Sequence, residues 1–292
     1  MFGRRKDGKR LKNLAIIDQL EPFFMPTRIG AVNYAKVKID CQKLDEFINQ
    51  EREKGHNVSY MHLVITAIVR ILYLRDHLNR FIVNNVLYQR KGIFVSMVIK
   101  KSLRDDGEMA TLKFPFQGTE NLYEVMQIIN DEIAKNSDQK TDNATEAKGL
   151  TRMPTWLLRW AMRCLRFCDK HGLLTGLMMK ASPFHTSCFF TNLKSIKQDY
   201  IYHHLFDFGT TSIFVSMGKE KLEPVVQADN SLGVAKIMTL GLSLDDRIAD
   251  GLYMGQSLRL LERMLNNPAE LLESLPPKAA PTPSKPAKKT KK

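Results

Sequence analysis

Between Val58 and Leu74 the chain reads VSYMHLVITAIVRILYL, apolar on nearly every side of a helical projection. A helix without a polar face has to be covered all round, so this segment predicts a helix buried at the centre of a domain. Upstream, Ala35, Val37 and Ile39 alternate with Lys36, Lys38 and Asp40, the pattern of a half-buried strand, and Asp40 can then cap a helix whose apolar face is Leu44, Phe47 and Ile48.

Downstream, FIVNNVLYQR and GIFVSMVIKKSL read as strand, turn and strand, with Asn84-Asn85 as a hairpin turn. RDDGE is a loop and MATLKFPF a further strand. Leu122, Val125, Met126 and Ile129 mark one face of a helix, and the polar residues 136–150 predict an exposed loop. TSCFFTNL (Thr186–Leu193), TSIFVSMGK (Thr211–Lys219), LEPVVQAD and VAKIMTLGLSL (Val234–Leu244) are strands, the last two joined by a turn at Asn230-Ser231. Met254, Leu258, Leu261 and Leu265 then mark a last helix that stops near Pro268. The class is mixed α/β, with no internal repeat.

A formal charge of +13 points to nucleic acid or an anionic membrane until its distribution is considered. Residues 1–12 carry six basic side chains against Asp7, and residues 276–292 carry six lysines and no acid, so the ends hold +11 and the body only +2. The tails can hold polyanions weakly, but the body is no nucleic-acid platform. Four cysteines without a C-x-x-C pair fit a reducing compartment, the cytoplasm being the simplest. There is no apolar run of signal-peptide or membrane-spanning length. PPKAAPTPSKPAKKTKK, residues 276–292, has nothing large and apolar with which to build a core and is expected to be disordered.

From Thr155 to His171 a projection puts Arg159, Arg163, Arg166 and Lys170 on one side and Leu157, Ala161, Cys164, Leu165 and Cys168 on the other, with Trp156 and Trp160 at the flank. Gly172 is expected to end this basic amphipathic helix. It can lie on an anionic membrane, or cover the domain or a neighbouring subunit, which is the commoner fate of such helices. Cys164, Cys168 and His171 have helical spacing but no fourth ligand nearby, so no metal site is expected.

The segment SLDDRIADG, Ser243 to Gly251, joins the last strand to the last helix. It is similar to the C-terminal signature S-x-D-H-R-x-x-D-G of the dihydrolipoyl acyltransferase catalytic domains of 2-oxoacid dehydrogenase complexes, a family that includes chloramphenicol acetyltransferase. Ser243, Asp245, Arg247, Asp250 and Gly251 match, and Asp246 stands where that family has its catalytic His. Upstream, CFFTNLK resembles the family's F-T-I-S-N-L-G strand, with Thr191 at the Ser, Asn192 and Leu193 matching, and Lys194 in place of the Gly. The order of elements from about Arg28 to Leu272 follows the family's plan, apart from an enlargement around Thr155–Met179.

The resemblance implies a chloramphenicol acetyltransferase-like two-layer sandwich of mixed sheet and helices that forms a trimer, or a higher assembly of trimers, with active-site channels between subunits. Residues 26–275 are then the acyltransferase-like domain, with residues 136–184 its enlarged loop and amphipathic helix, residues 1–25 a basic lead-in and residues 276–292 a tail. With about two dozen residues ahead of the fold, no lipoyl domain is expected there. The implied activity moves an acyl group between coenzyme A and a thiol or hydroxyl, with no covalently bound cofactor and a coenzyme A thioester as substrate.

In that mechanism the His takes a proton from the nucleophile and the strand hydroxyl stabilises the oxyanion. The resemblance therefore assigns the proton acceptor to Asp246 and the oxyanion donor to Thr191. Asn192, Ser243, Asp245, Arg247, Asp250 and Gly251 support the site, Asp250 as a helix cap and Gly251 as a tight turn. A carboxylate is a weaker base than imidazole by roughly 2.6 pH units, about 3.5 kcal/mol of barrier if fully expressed, which is serious without excluding catalysis. Burial and the adjacent Asp245 would strengthen Asp246 as a base, and Arg247 would weaken it if the two paired. His185, His203 and His204 are alternative bases, and a non-catalytic trimer of the same fold, binding an acyl thioester, a protein or a membrane surface, is the alternative function.

Overall fold

The computed structural model describes residues 4–100, 109–138, 153–227 and 229–278. The loop expected at residues 104–108, most of the polar stretch 136–150 and the tail beyond residue 278 lie outside the described residues.

The all-apolar segment forms helix α3 (Tyr60–Leu74), which Ser59 and His62 close with a reciprocal capping box, and it is buried along most of its length. Packed about it on one face of the main sheet are α2 (Cys41–Glu53), α4 (Leu122–Asp138) and the last helix, α7 (Gly251–Asn266). Asp40 caps α2 by accepting from the Gln42 backbone N–H at 2.9 Å. The sheet runs β2 (Val32–Asp40), β10 (Leu232–Asp245), β8 (Ile213–Met217), β7 (Cys188–Asn192), β5 (Ile93–Lys100) and β6 (Met109–Phe116). Strand β7 is parallel to both its neighbours, and the other pairings are antiparallel. Strand β9 (Lys221–Val226) pairs only with the first half of β10, and this hairpin arm leaves Leu222, Val226, Leu232 and Val234 exposed. Helices on one face of a mixed sheet are the two-layer arrangement expected.

The opposite face of the sheet is covered by extended chain between Gln198 and Thr211. Phe189 and Phe214 stack at 5.3 Å and pack with Leu205 and Phe206, while the Arg28 guanidinium donates to the Phe206 and Gly209 carbonyls at 2.6 and 2.7 Å. The close fit needs Gly241, where a β-carbon would strike the Ile201 carbonyl.

The Asn84-Asn85 turn forms as expected, both residues left-handed (φ 52° and 57°), as a two-residue hairpin requires. It links β3 (Arg80–Val83) to β4 (Val86–Arg90), but these belong to a separate three-stranded sheet completed by β1 (Gly8–Arg10). Residues 1–25 are therefore not a simple lead-in. Besides β1 they form helix α1 (Ile16–Phe24), and Arg5 is buried in an ion cluster. Its guanidinium pairs with Asp7 at 2.8 Å and Asp169 at 2.9 Å, and Asp169 also meets His185 Nε2 at 3.1 Å.

Burial pushes the Asp7 and Asp169 carboxyls up, but Arg5 with its hydrogen bonds, and His185 for Asp169, outweigh it and hold both below the usual range. Depressed carboxyls stabilise the fold above their unfolded pKa and lose that contribution as pH falls through the folded value. Arg5→Met should therefore cost about 2–3 kcal/mol at neutral pH and less under strongly acid conditions, where the carboxyls of both proteins are protonated. Urea midpoints compared at the two pH values measure this; an equal cost at both would remove the ion cluster as the cause.

Candidate functional site

Strand β10 ends at Asp245 and the chain turns through a single 3-10 turn, Asp246–Ile248, before α7 begins. Ser243 and Asp245 are buried, Asp246 half-buried and Asp250 exposed. The Arg247 guanidinium grips the Asp245 carboxylate with two bonds, Nε to Oδ1 at 2.8 Å and Nη2 to Oδ2 at 2.7 Å. Its remaining nitrogen Nη1 donates to the Met25 carbonyl at 2.8 Å, tying the end of α1 to the turn. Arg247 is thus fully engaged away from Asp246, whose Oδ1 instead accepts from Asn33 Nδ2 at 2.6 Å. Asn33 reaches it because β2 pairs with β10 in a register that sets Asn33 opposite Leu244.

Asp250 caps α7 as expected, accepting from the Tyr253 N–H at 2.8 Å. The tight-turn role expected of Gly251 is not what the structure shows. The residue lies in the first turn of α7 without positive φ, and a β-carbon there would meet open space. Burial, followed by the acids Asp18, Asp246, Asp250 and Asp245, pushes the Glu21 carboxyl on α1 up. Neither Glu21 nor Asn33 carries a sequence signal, since both arrive from elements more than two hundred residues away in the chain.

Thr191 ends up elsewhere. It sits level with Ser216 on β8, and Ser216 is level with Gly241 on β10, so Asp246 lies five residues further along a strand two places over. At roughly 3.3 Å per residue the two are more than about 15 Å apart. One chain does not bring them together.

Asn192, the next residue along β7, lines a cleft of about 480 Å³ together with Lys194, Tyr60, Arg52 and Lys236 among others, whereas Thr191, which alternates with it, does not line that cleft. Lys194 pairs with Glu220 at 2.8 Å and lies 4.1 Å over the Tyr60 ring, and Lys236 pairs with Asp45 at 2.6 Å. Two side chains of the matched motifs are left unsatisfied: Asn192 Oδ1 and Ser243 Oγ are buried without a hydrogen-bond partner among the described residues. Such atoms cost about 1–3 kcal/mol each unless something else supplies the bond.

Of the three histidines, His185 is enclosed in the ion cluster, its nitrogens taken by Ser182 at 2.8 Å and Asp169 at 3.1 Å. His203 stacks on Phe214 at 4.0 Å, directly across from Ser243 in register. Burial pushes its imidazole down, and its Nδ1 meets the His204 carbonyl at 2.9 Å. In that tautomer Nδ1 carries the proton and Nε2 is left as an acceptor. Cys164 and Cys168 are half-buried free thiols, and among the described residues no group of three His, Cys, Asp or Glu side chains could hold a metal ion.

Residues 210–273 match the family model described as 2-oxoacid dehydrogenases acyltransferase (catalytic domain). No curated protein sequence matches the chain. Among solved structures, a probable dihydrolipoamide acetyltransferase from Listeria monocytogenes 4b F2365 is similar at 14% identity, over 89% of this chain and 94% of that one, with TM-score 0.55. A chloramphenicol acetyltransferase is similar at 11% identity, over 88% and 99%, with TM-score 0.54. The dihydrolipoamide acetyltransferase (E2p) of Azotobacter vinelandii is similar at 14% identity, over 90% and 94%, with TM-score 0.50; in that protein a serine, a histidine and an asparagine four residues beyond the histidine have been investigated for roles in the catalytic mechanism. The fold is that of the chloramphenicol acetyltransferase-like acyltransferase cores.

Proposed function

We propose that this chain, an acyltransferase-core fold with the family's catalytic-domain signature over residues 210–273, moves an acyl group between coenzyme A and a thiol or hydroxyl acceptor. Thr191 of one copy then works with Asp246 of a neighbouring copy in a trimer. The observation that carries this reading is the engagement of Arg247. Because both carboxylate oxygens of Asp245 hold it, Asp246 has no paired cation among the described residues and its carboxylate is oriented by the Asn33 amide. Had Arg247 closed on Asp246, the turn would be a structural ion pair and no base would remain.

The steps balance on these two groups. As a thiol or hydroxyl attacks the thioester carbonyl, its proton passes to the Asp246 carboxylate, and the carbonyl oxygen gains a negative charge that the Thr191 hydroxyl stabilises by donating a hydrogen bond. Collapse of the tetrahedral adduct breaks the carbon–sulfur bond, and the departing sulfur takes the proton back from Asp246. The spacing of Asp246 and Asp250 is that of the histidine and asparagine in the Azotobacter protein. Arg52, Lys194 and Lys236, which line the cleft beside Asn192, suit a phosphate-bearing thioester.

The test is complementation. Thr191→Ala and Asp246→Asn, each purified and assayed for thiol release from short acyl-CoAs, should be nearly inactive. Dissociated and reassembled together at equal amounts they should recover roughly a quarter of wild-type activity, since one interface in four then joins an intact Thr191 to an intact Asp246. No recovery from mixed trimers would refute the shared site. A wild type that binds coenzyme A without turnover supports the non-catalytic alternative. A second reading rests on His203, which stacks on Phe214 and whose Nδ1 bond to the His204 carbonyl leaves Nε2 as an acceptor. It predicts that His203→Gln abolishes turnover while Asp246→Asn preserves it.

A further inference from the structure

The amphipathic helix forms as α5 (Thr155–His171), and Gly172 ends it in the left-handed conformation (φ 71°). Its apolar side, including Leu157, Leu158, Ala161 and Leu165, is half-buried, and only Asp169 is buried outright. The other side is unusual in composition. Beyond Thr155, every exposed side chain of α5 is basic or aromatic: Arg159, Arg163, Arg166 and Lys170 interleave with Trp156, Trp160 and Phe167. At 100° per residue they fill one continuous arc of about 120°. The indoles are 71% and 61% exposed. The helix's sole acid, Asp169, points away into its pairs with Arg5 and His185, so the stripe carries four positive charges and no negative one. The short helix α6 (Gly176–Ala181) follows at once and adds exposed Leu177 and Met178.

We infer that this stripe docks α5 flat on an anionic lipid surface. Indole and phenyl rings with one wet edge suit the headgroup boundary, and guanidinium groups bond phosphate oxygens bidentately. A second copy of the same stripe would bring like charges together. A single nucleic-acid strand would stack on the rings but has nothing to cover the aliphatic Leu177 and Met178. The basic ends of the chain add attraction to an anionic bilayer without involving the stripe, so binding alone does not test the inference.

Trp156 and Trp160 are the chain's only tryptophans, which makes intrinsic emission a direct report of this face. With vesicles rich in phosphatidylglycerol the emission should shift to the blue and become shielded from acrylamide; with phosphatidylcholine alone it should not. Added salt should reverse the shift. The double variant Arg159→Gln, Arg163→Gln should partition roughly 30-fold more weakly, at about 1 kcal/mol per cation near the surface, with unchanged far-ultraviolet circular dichroism. Vesicle binding without an emission change overturns the inference, as does an equal shift with neutral vesicles. A shift produced by single-stranded RNA, or by raising the protein concentration without lipid, assigns the stripe to those partners instead.

Discussion

Asp246→Asn is expected to lower thiol release by ~10²–10⁴-fold, the range spanned by removing a positioned base, while leaving coenzyme A binding intact. The substitution keeps size and shape and permits a hydrogen bond with the Asn33 amide after a flip, so the fold should not change. What disappears is the lone pair able to take a full proton. Asp246→His restores the stronger base and should retain activity if the imidazole reaches the nucleophile. Undiminished turnover by the Asn variant would move the proton acceptor elsewhere, His203 first. Steady-state rates with a thiol-trapping reagent, together with a coenzyme A binding isotherm, distinguish loss of chemistry from loss of substrate.

The second large effect concerns stability. Arg247→Met should destabilise the protein by about 3–5 kcal/mol, because it strands the fully buried Asp245 carboxylate and frees the Met25 carbonyl. Chemical denaturation gives the cost directly. Replacing both partners, Asp245→Asn with Arg247→Met, should cost less than Arg247→Met alone, since no charge is then left buried. If the double variant is the less stable, the carboxylate serves the turn through some contact other than Arg247.

What could be read from sequence follows physical range. The run from Val58 to Leu74 declares a central helix because every neighbour it needs is apolar, and Asn84-Asn85 declares its turn because few residues accept two left-handed positions in succession. The Asp40 cap and the Asp250 cap are equally local. Strand β1 is different: Gly8, Lys9 and Arg10 show no alternation, and their place beside β4 is secured by Arg5 meeting an acid 164 residues away. The SLDDRIADG motif located the Asp246 turn, but whether Arg247 would face Asp245 or Asp246 depends on the Met25 carbonyl and on the β2 register. The separation of Thr191 from Asp246 depends on strand order, through a parallel pairing that no periodicity reveals.

The arm formed by β9 and the first half of β10 has a bearing on how copies add to one another. Strand β9 is an open edge, and open edges recruit further strands without limit unless something stops them. Here Pro224 occupies the middle of the strand, where it removes a backbone donor, and the flanking Lys221 and Glu223 add charge to the rim. Such an edge is poorly suited to continuous pairing, which disfavours open-ended addition of strands through it.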